Sequence, residues 1–317
     1  MALPYAIPRD AGTFEHAHAQ GFARLSDATL ARFAVESLIE EAQLTPKPAL
    51  VDARGSGAHR DLDLPLMLRS ARSLEPTFAA LSRAARGRLP SATLRAELAQ
   101  IGRAGEQDMM RATHGSNAHR GAIWIVGLLV AGASVVFDGD TTNAAPALPA
   151  QAHSDAARVC KLAAQIACFP DRFTAPADSH GERVRRQFNV GGARQEAQDG
   201  FPHVIGVGLP ALHAARAAGA KGIGENAARL DTLLAIMASL DDTCLLHRAG
   251  LDGLRAGQRG ARAVLAAGGT STAAGRAAFD ALEAALLTLN ASPGGAADLL
   301  AATLFIDKLA HHAASGS

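Results

Sequence analysis

The run Ala122 to Phe137, AIWIVGLLVAGASVVF, carries no charged side chain and is closed by Arg120 on one side and Asp138 on the other. It falls short of the roughly 18 apolar residues expected of a membrane-spanning helix. It therefore reads as a helix buried in the core of a protein that does not cross a membrane. A helix that is apolar on every face needs neighbours on every side, so the rest of the chain must supply a shell around it.

The remainder has the composition for that. Ala dominates the 317 residues and aromatics are 4%, which favours helix and starves strands of the β-branched and aromatic types they prefer. Leu30, Phe33, Ala34, Ser37 and Leu38 follow the i, i+3, i+4, i+7, i+8 pattern of a helix face, started by Ser26 or Asp27 and stopped before Pro46. Similar faces recur at Leu66 to Leu81, Leu94 to Met109, Val159 to Ile166, Leu230 to Leu240, Phe279 to Leu289 and Leu299 to Leu309. The nearest approach to a strand is HVIGVGL, His203 to Leu209, and its glycines weaken it. The expected fold is all-α, a compact multi-helix bundle in one domain over 1–317, with 1–24 and 311–317 as peripheral segments or tail. The stretches at Ala144 to Ala150 and Gly268 to Gly275 and the closing ASGS read as loops or tail. No fixed-period repeat is visible, which argues against a solenoid.

Lys+Arg 31 against Asp+Glu 30 leaves a net charge of +1, too little for bulk capture of nucleic acid. An anionic ligand must then be met by a local cluster of cations. Cys160, Cys168 and Cys244 are too few and scattered for a disulfide framework or a CxxC metal site. With an N-terminus, MALPYAIPRD, that lacks the features of a secretory signal, they predict a cytoplasmic protein.

Charged and hydroxylated residues concentrate in five loop-to-helix segments, where burial is costly unless the charge is paired or liganded. Thr45 to Asp63, TPKPALVDARGSGAHRDLD, places Lys47, Arg54, His59 and Arg60 beside Asp52, Asp61 and Asp63. His59 and Asp63 would share a face if a helix began near Ala58; the alternative is a solvated loop with an Asp cap. Thr113 to Gly121, THGSNAHRG, presents free N–H groups at a helix start, with His119 and Arg120 adding positive charge, and suits a phosphate. Asn117 as a plain cap is the simpler reading. His180 to Pro202 carries Arg183, Arg185, Arg186 and Arg194 around Glu182 and Glu196, with Gly191-Gly192 breaking its helix. Leu240 to Gly250, LDDTCLLHRAG, sets Asp241 and Asp242 side by side, read as adjacent carboxylates within a helix that would ligate Mg²⁺ carrying a polyphosphate. Arg248, seven residues on, is their other conceivable partner. Asn290 to Asp298, NASPGGAAD, is explained by turn chemistry, with a second phosphate nest as the alternative. GxxxxGK[ST], GxGxxG, GxSxG, HExxH and the His-Asp dipeptide are all missing.

Taken together and in order, TPKPALVDARGSGAHRDLD, THGSNAHRGAIW, GERVRRQF with GGARQEAQDGFP, LDDTCLLHRAG and SPGGAADLLAATLF resemble the triphosphoribosyl-dephospho-CoA synthase family. The likeness spans Thr45 to Phe305 and lies nearer the malonate decarboxylase branch than the citrate lyase branch. It departs at Ala49 and Ala249, where Gly is expected, and at Cys244, where Asn is more frequent. The resemblance implies an all-helical pentosyltransferase. It joins ATP to the 2′-hydroxyl of 3′-dephospho-CoA with loss of adenine, and its product passes to an acyl carrier protein. Such chemistry needs the triphosphate held, a base for the hydroxyl and an acid for adenine. The expected cradle is Asn117, His119, Arg120 and Arg194, with Lys47, Arg183 and Arg248 as further nucleotide contacts and Mg²⁺ on Asp241 and Asp242. His59 is the expected acid–base group, oriented by Asp61 or Asp63, with Glu182 and Glu196 in reserve. Two rivals remain, a helical metal-dependent nucleotide hydrolase and a non-enzymatic partner of an acyl carrier. The oligomeric state stays open, a homodimer included.

Overall fold

The computed structural model describes residues 25–136, 149–173, 180–219 and 224–315. The helices are α1 (Asp27–Gln43), α2 (Leu64–Ser73), α3 (Glu75–Ala85), α4 (Ala92–Ala112), α5 (Arg120–Val136), α6 (Pro149–Cys168), α7 (His180–Phe188), α8 (Gly192–Gln198), α9 (Leu209–Gly219), α10 (Glu225–Ser239), α11 (Thr243–Ala266), α12 (Ala273–Thr288) and α13 (Gly294–Ser315). Among the described residues there is no strand, only an isolated bridge between Asp52 and Gly55. The all-α expectation holds, and among the described residues no helix is long and apolar enough to cross a membrane.

The uncharged run forms α5, which packs on α1, α3, α6 and α13 and is buried on nearly every face, from Ala122 and Ile123 to Val136. Each fully buried Leu, Ile or Val there contributes about 1.5–3 kcal/mol. Small residues let the shell close in. A Cβ at Gly132 would lie 2.5 Å from the Val159 carbonyl oxygen, so only glycine allows α6 this near. The second core helix is α13, buried through Leu299, Leu300, Leu304, Phe305 and Ile306. One continuous apolar cluster joins all of these.

Several local expectations are corrected. The face drawn from Leu66 to Leu81 is two helices broken at Leu74, because Pro76 has no N–H to continue the first. HVIGVG is a π-helical turn, His203–Gly208, leading into α9. The C-terminal tail is helical to Ser315. The stretch 144–150 lies almost wholly outside the described residues, as do 1–24. The segment after Gly268 is the turn between α11 and α12, as expected.

Candidate active site

All five polar segments close around one cavity of about 930 Å³, at the upper end of the range for small-molecule sites. Its walls are the 44–62 loop, Met110 at the end of α4, the Asn117–Gly121 corner and the Gly181 and Gly192–Glu196 edge of α7 and α8. The α10–α11 turn with the first half of α11 and the α12–α13 turn with the first turn of α13 complete it. Lys47, His59, Asp61, Asn117, His119, Arg120, Glu196, Asp241, Asp242 and Arg248 all line it.

The 44–62 loop is built on its own charges. The buried Asp52 carboxylate accepts the Lys47 and Arg54 backbone N–H groups and the Arg54 guanidinium, which reaches on to Glu283 of α12. Lys47 is 1% exposed and donates to the Glu41 carboxylate and carbonyl, both at 2.7 Å. Its charge is therefore neutralised by α1 before any ligand arrives. Gly57 has φ +54° and a Cβ there would strike the Ala49 and Leu50 carbonyl oxygens at 2.5 Å, which pins the loop's return. Ala49 itself has φ 55°.

His59 follows this turn. Arg248 donates to its Nδ1 at 3.0 Å and to the Ala58 carbonyl. A guanidinium can only donate, so Nδ1 is the acceptor and the ring proton sits on Nε2, which donates to Ser292 Oγ at 2.9 Å. Burial, with Arg248 adding to it, lowers the His59 pKa to about 4. His59 is thus neutral and oriented by Arg248 and Ser292; neither Asp61 nor Asp63 orients it. No helix begins at Ala58. Asp63 is the N-cap of α2, accepting Leu66 N–H, so the capping alternative holds for that residue. Asp61 is exposed to the cavity without a side-chain hydrogen bond among the described residues.

At the next corner the Asn117 side chain accepts Arg120 N–H at 3.2 Å, with Gly121, next in the first turn of α5, on the cavity wall. His119 supplies no charge there, contrary to expectation. It is buried, shares a 2.7 Å hydrogen bond with Ser70, and its Nε2 has no partner. Burial and then the nearby Lys47 push its pKa down to about 3. Arg120 is half-exposed and leans on Glu106 at 3.1 Å.

From α8, Glu196 turns inward and accepts both the N–H and Nδ1 of His203, at 2.8 and 2.7 Å. That pairing raises the His203 pKa, and it leaves Glu196 engaged by His203. Glu182 pairs with Arg185 and Arg186 along α7. Glu182, Arg183 and Arg194 do not line the cavity. The Arg194 charge instead acts on Arg95, which stacks on the Trp124 ring.

Asp241 and Asp242 are not inside a helix. They form the turn after α10, Asp242 capping α11. The buried Asp242 carboxylate accepts N–H groups from Cys244 and Leu245 and, across the α12–α13 turn, from Gly295 and Ala296. Asp241 is exposed into the cavity. Among the described residues no three His, Cys, Asp or Glu side chains converge on one metal position.

Over residues 27–317 the sequence matches the family described as ATP:dephospho-CoA triphosphoribosyl transferase, CitG. The chain belongs to this family. It is 55% identical to a probable 2-(5″-triphosphoribosyl)-3′-dephosphocoenzyme-A synthase of Pseudomonas paraeruginosa, over 88% of this chain and 90% of the relative. It is 52% identical to the 2-(5″-triphosphoribosyl)-3′-dephosphocoenzyme-A synthase of Klebsiella pneumoniae, over 89% of this chain and 94% of the relative. No solved structure matches.

As a transferase of this family, the chain has two acids in the cavity that sequence reading passed over, Asp298 and Glu41. Asp298, in the second turn of α13, lines the cavity and has no hydrogen-bond or ion-pair partner among the described residues. Its Oδ2 sits where a Cβ on Gly121 would be, 2.0 Å from that position. Burial, with Glu41 and Asp242 nearby, pushes its carboxyl well above the usual carboxylate range. The signal was present in AADLLAATLF, where one acid interrupts an otherwise apolar helix face. Glu41 carried the same signal on the buried face of α1.

Proposed function

We propose that this chain transfers the 5-triphosphoribosyl group of ATP to the 2′-hydroxyl of 3′-dephospho-CoA, releasing adenine. The observation that carries the reading is the convergence of five separate polar segments on one cavity of about 930 Å³. In the reaction, the bond from C1′ to adenine N9 breaks and a bond from the acceptor 2′-oxygen to C1′ forms. Inversion at C1′ requires the acceptor and the leaving base on opposite faces of the ribose. The cavity must hold both substrates and keep water from taking the acceptor's place.

The triphosphate belongs at the open first turn of α5, where backbone N–H groups and the positive helix end face the cavity. Arg120 serves it from the rim, exchanging Glu106 for phosphate. Arg248, fixed by His59 and the Ala58 carbonyl, is the second cation. His59 accordingly positions Arg248. Asp61 accepts the hydroxyl proton, being the carboxylate on that side with no hydrogen bond to break. The donor set suits Mg²⁺ that arrives on the nucleotide. Such an ion keeps phosphate and water ligands and needs only one or two carboxylates, and Asp241 is the accessible one. When bound, it would neutralise triphosphate charge.

The wording THGSNAHRG and SPGGAADLLA supports the malonate decarboxylase branch, and the product would go on toward an acyl carrier protein. Incubation with ATP and dephospho-CoA, read by mass spectrometry, should give free adenine and an adduct that retains all three phosphates. Stoichiometric ADP or AMP without adenine would overturn the reading in favour of a nucleotide hydrolase.

A further inference from the structure

Adenine is a poor leaving group as an anion, so its departure calls for a proton donor inside the cavity. Most of the acids and bases there are already committed. Glu41 is bound to Lys47, Asp242 to four backbone N–H groups, and Glu196 to His203. His59 and His119 are neutral and hold no spare proton for a general acid. Asp61 and Asp241 are exposed carboxylates. Of the carboxyl groups that line the cavity one remains, Asp298, at the end of the segment Asn290 to Asp298.

We propose that Asp298 is the proton donor to the departing adenine, a catalytic role that rests on the transfer reaction proposed above. Three geometric facts carry it. Asp298 lines the cavity and has no hydrogen-bond or ion-pair partner among the described residues. It abuts Gly121, in the first turn of α5, so the acid stands next to the place assigned to the triphosphate. Its helix is fixed at that end by Asp242, which grips the Gly295 and Ala296 amides and so sets where the Asp298 side chain starts. The surroundings favour the protonated form. Glu41 from α1 and Asp242 from the α10–α11 turn repel an anion there, the Cys244 thiol from α11 adds none of its own, and Lys47 is turned to Glu41 and Arg248 to His59.

The step balances. The C1′–N9 electron pair leaves with adenine, and the Asp298 proton passes to N3 or N7 of the base. The 2′-oxygen bonds C1′ as Asp61 takes its proton. Water then returns a proton to Asp298 and removes one from Asp61.

The test uses the full chain with Asp298→Asn, Asp298→Glu, ATP and dephospho-CoA. Asp298→Asn should lower kcat for adenine release by about 10²–10⁴, the range for loss of a general acid, with ATP affinity by equilibrium binding essentially unchanged. Activity of the unaltered chain should fall as pH rises and Asp298 ionises, and that high-pH limb should vanish in Asp298→Asn. Asp298→Glu should restore part of the rate. The assignment falls if Asp298→Asn turns over at a similar rate with the same high-pH limb, or if the whole loss lies in ATP affinity. Should the variant fail to fold, 7-deaza-ATP and 3-deaza-ATP with the unaltered chain decide it. At least one must lose most of the turnover, since each lacks a ring nitrogen that could take the proton, and normal turnover of both would overturn the proposal. An unaltered chain that makes no adenine from ATP defeats the transfer reaction itself, whereas adenine release that is insensitive to Asp298 defeats only this assignment.

Discussion

Asp242 and Asp298 are two carboxyl groups in one cavity wall, near enough to act on each other electrically, yet built in opposite ways. Asp242 caps α11 and accepts four backbone N–H groups from two helix starts. Asp298, on the helix that Asp242 secures, has no partner among the described residues. The first acid joins two pieces of chain, and its desolvation cost is offset by the amides that would otherwise go unpaired. The second, partly open to the cavity, has no partner to offset its desolvation, which a fold alone does not require. That difference separates an acid that holds the site from one that is held for use.

The largest effect should come from breaking the satisfied member. Asp242→Ala strips an N-cap and orphans buried amides, and at about 1–3 kcal/mol per unsatisfied donor the loss should reach about 3 kcal/mol or more, read by chemical denaturation. A loss under about 1 kcal/mol would mean the four bonds do not carry the junction between α11 and α13.

The two histidines extend the contrast to pH. Their folded pKa values are about 4 for His59 and about 3 for His119, both below the ordinary 6.5. A depressed histidine favours the folded state fully above its unfolded pKa, and this is lost as pH falls and the unfolded chain takes up protons first. Stability should therefore decline from about pH 6.5 downward by a few kcal/mol in total. His119→Asn should flatten that slope, with its orphaned ring gone. A slope unaltered by the substitution would show that the ring is not held neutral by the fold.

Arg120→Ala tests the neighbouring end of the cavity, where a charge is paired only at the rim. Removing a charge-assisted contact worth roughly 1.5–3 kcal/mol should cost about ten- to a hundredfold in ATP affinity or turnover, with little change in melting temperature. Trp124, one helical turn on, offers fluorescence as the local reporter. Normal ATP binding by this variant would remove the triphosphate from the first turn of α5.

The smallest effect lies outside the wall. Ala49 occupies the left-handed region at φ 55°, which costs an L-residue roughly 1–2 kcal/mol. Ala49→Gly relieves that strain and gives back part through unfolded-chain entropy, leaving a net gain of about 0.5–1 kcal/mol in thermal or chemical melts. Destabilisation would mean that the 44–62 loop adopts another backbone.

Composition and helix periodicity carried the fold well, because a charge-free segment and repeated apolar faces leave few alternatives to a helical bundle. They failed where chain direction changes. Leu66 to Leu81 looked continuous because its apolar spacing survives the break before Pro76, and Asp241-Asp242 looked helical because the Leu233, Met237, Leu240 stripe runs into it. The segments that build the cavity were legible because charge is dense in them. The pairing inside them was not, since Lys47 meets Glu41 and Glu196 meets His203 through folding, and no spacing rule separates a cation awaiting phosphate from one already neutralised. Asp298 was missed for the converse reason. A single acid in an apolar helix carries little weight until Gly121 is seen against it.

The most direct test of the contrast is to melt Asp298→Asn and assay it for adenine release in parallel from acidic to alkaline pH. A carboxyl whose pKa is raised on folding contributes stability below its unfolded pKa and loses it as pH rises through the folded value. The unaltered chain should thus lose melting temperature over that interval, while Asp298→Asn, with no proton to lose, should melt as high or higher and release almost no adenine. A variant that melts lower than the unaltered chain at every pH, and keeps its turnover per folded molecule, would place Asp298 with Asp242 as a structural acid.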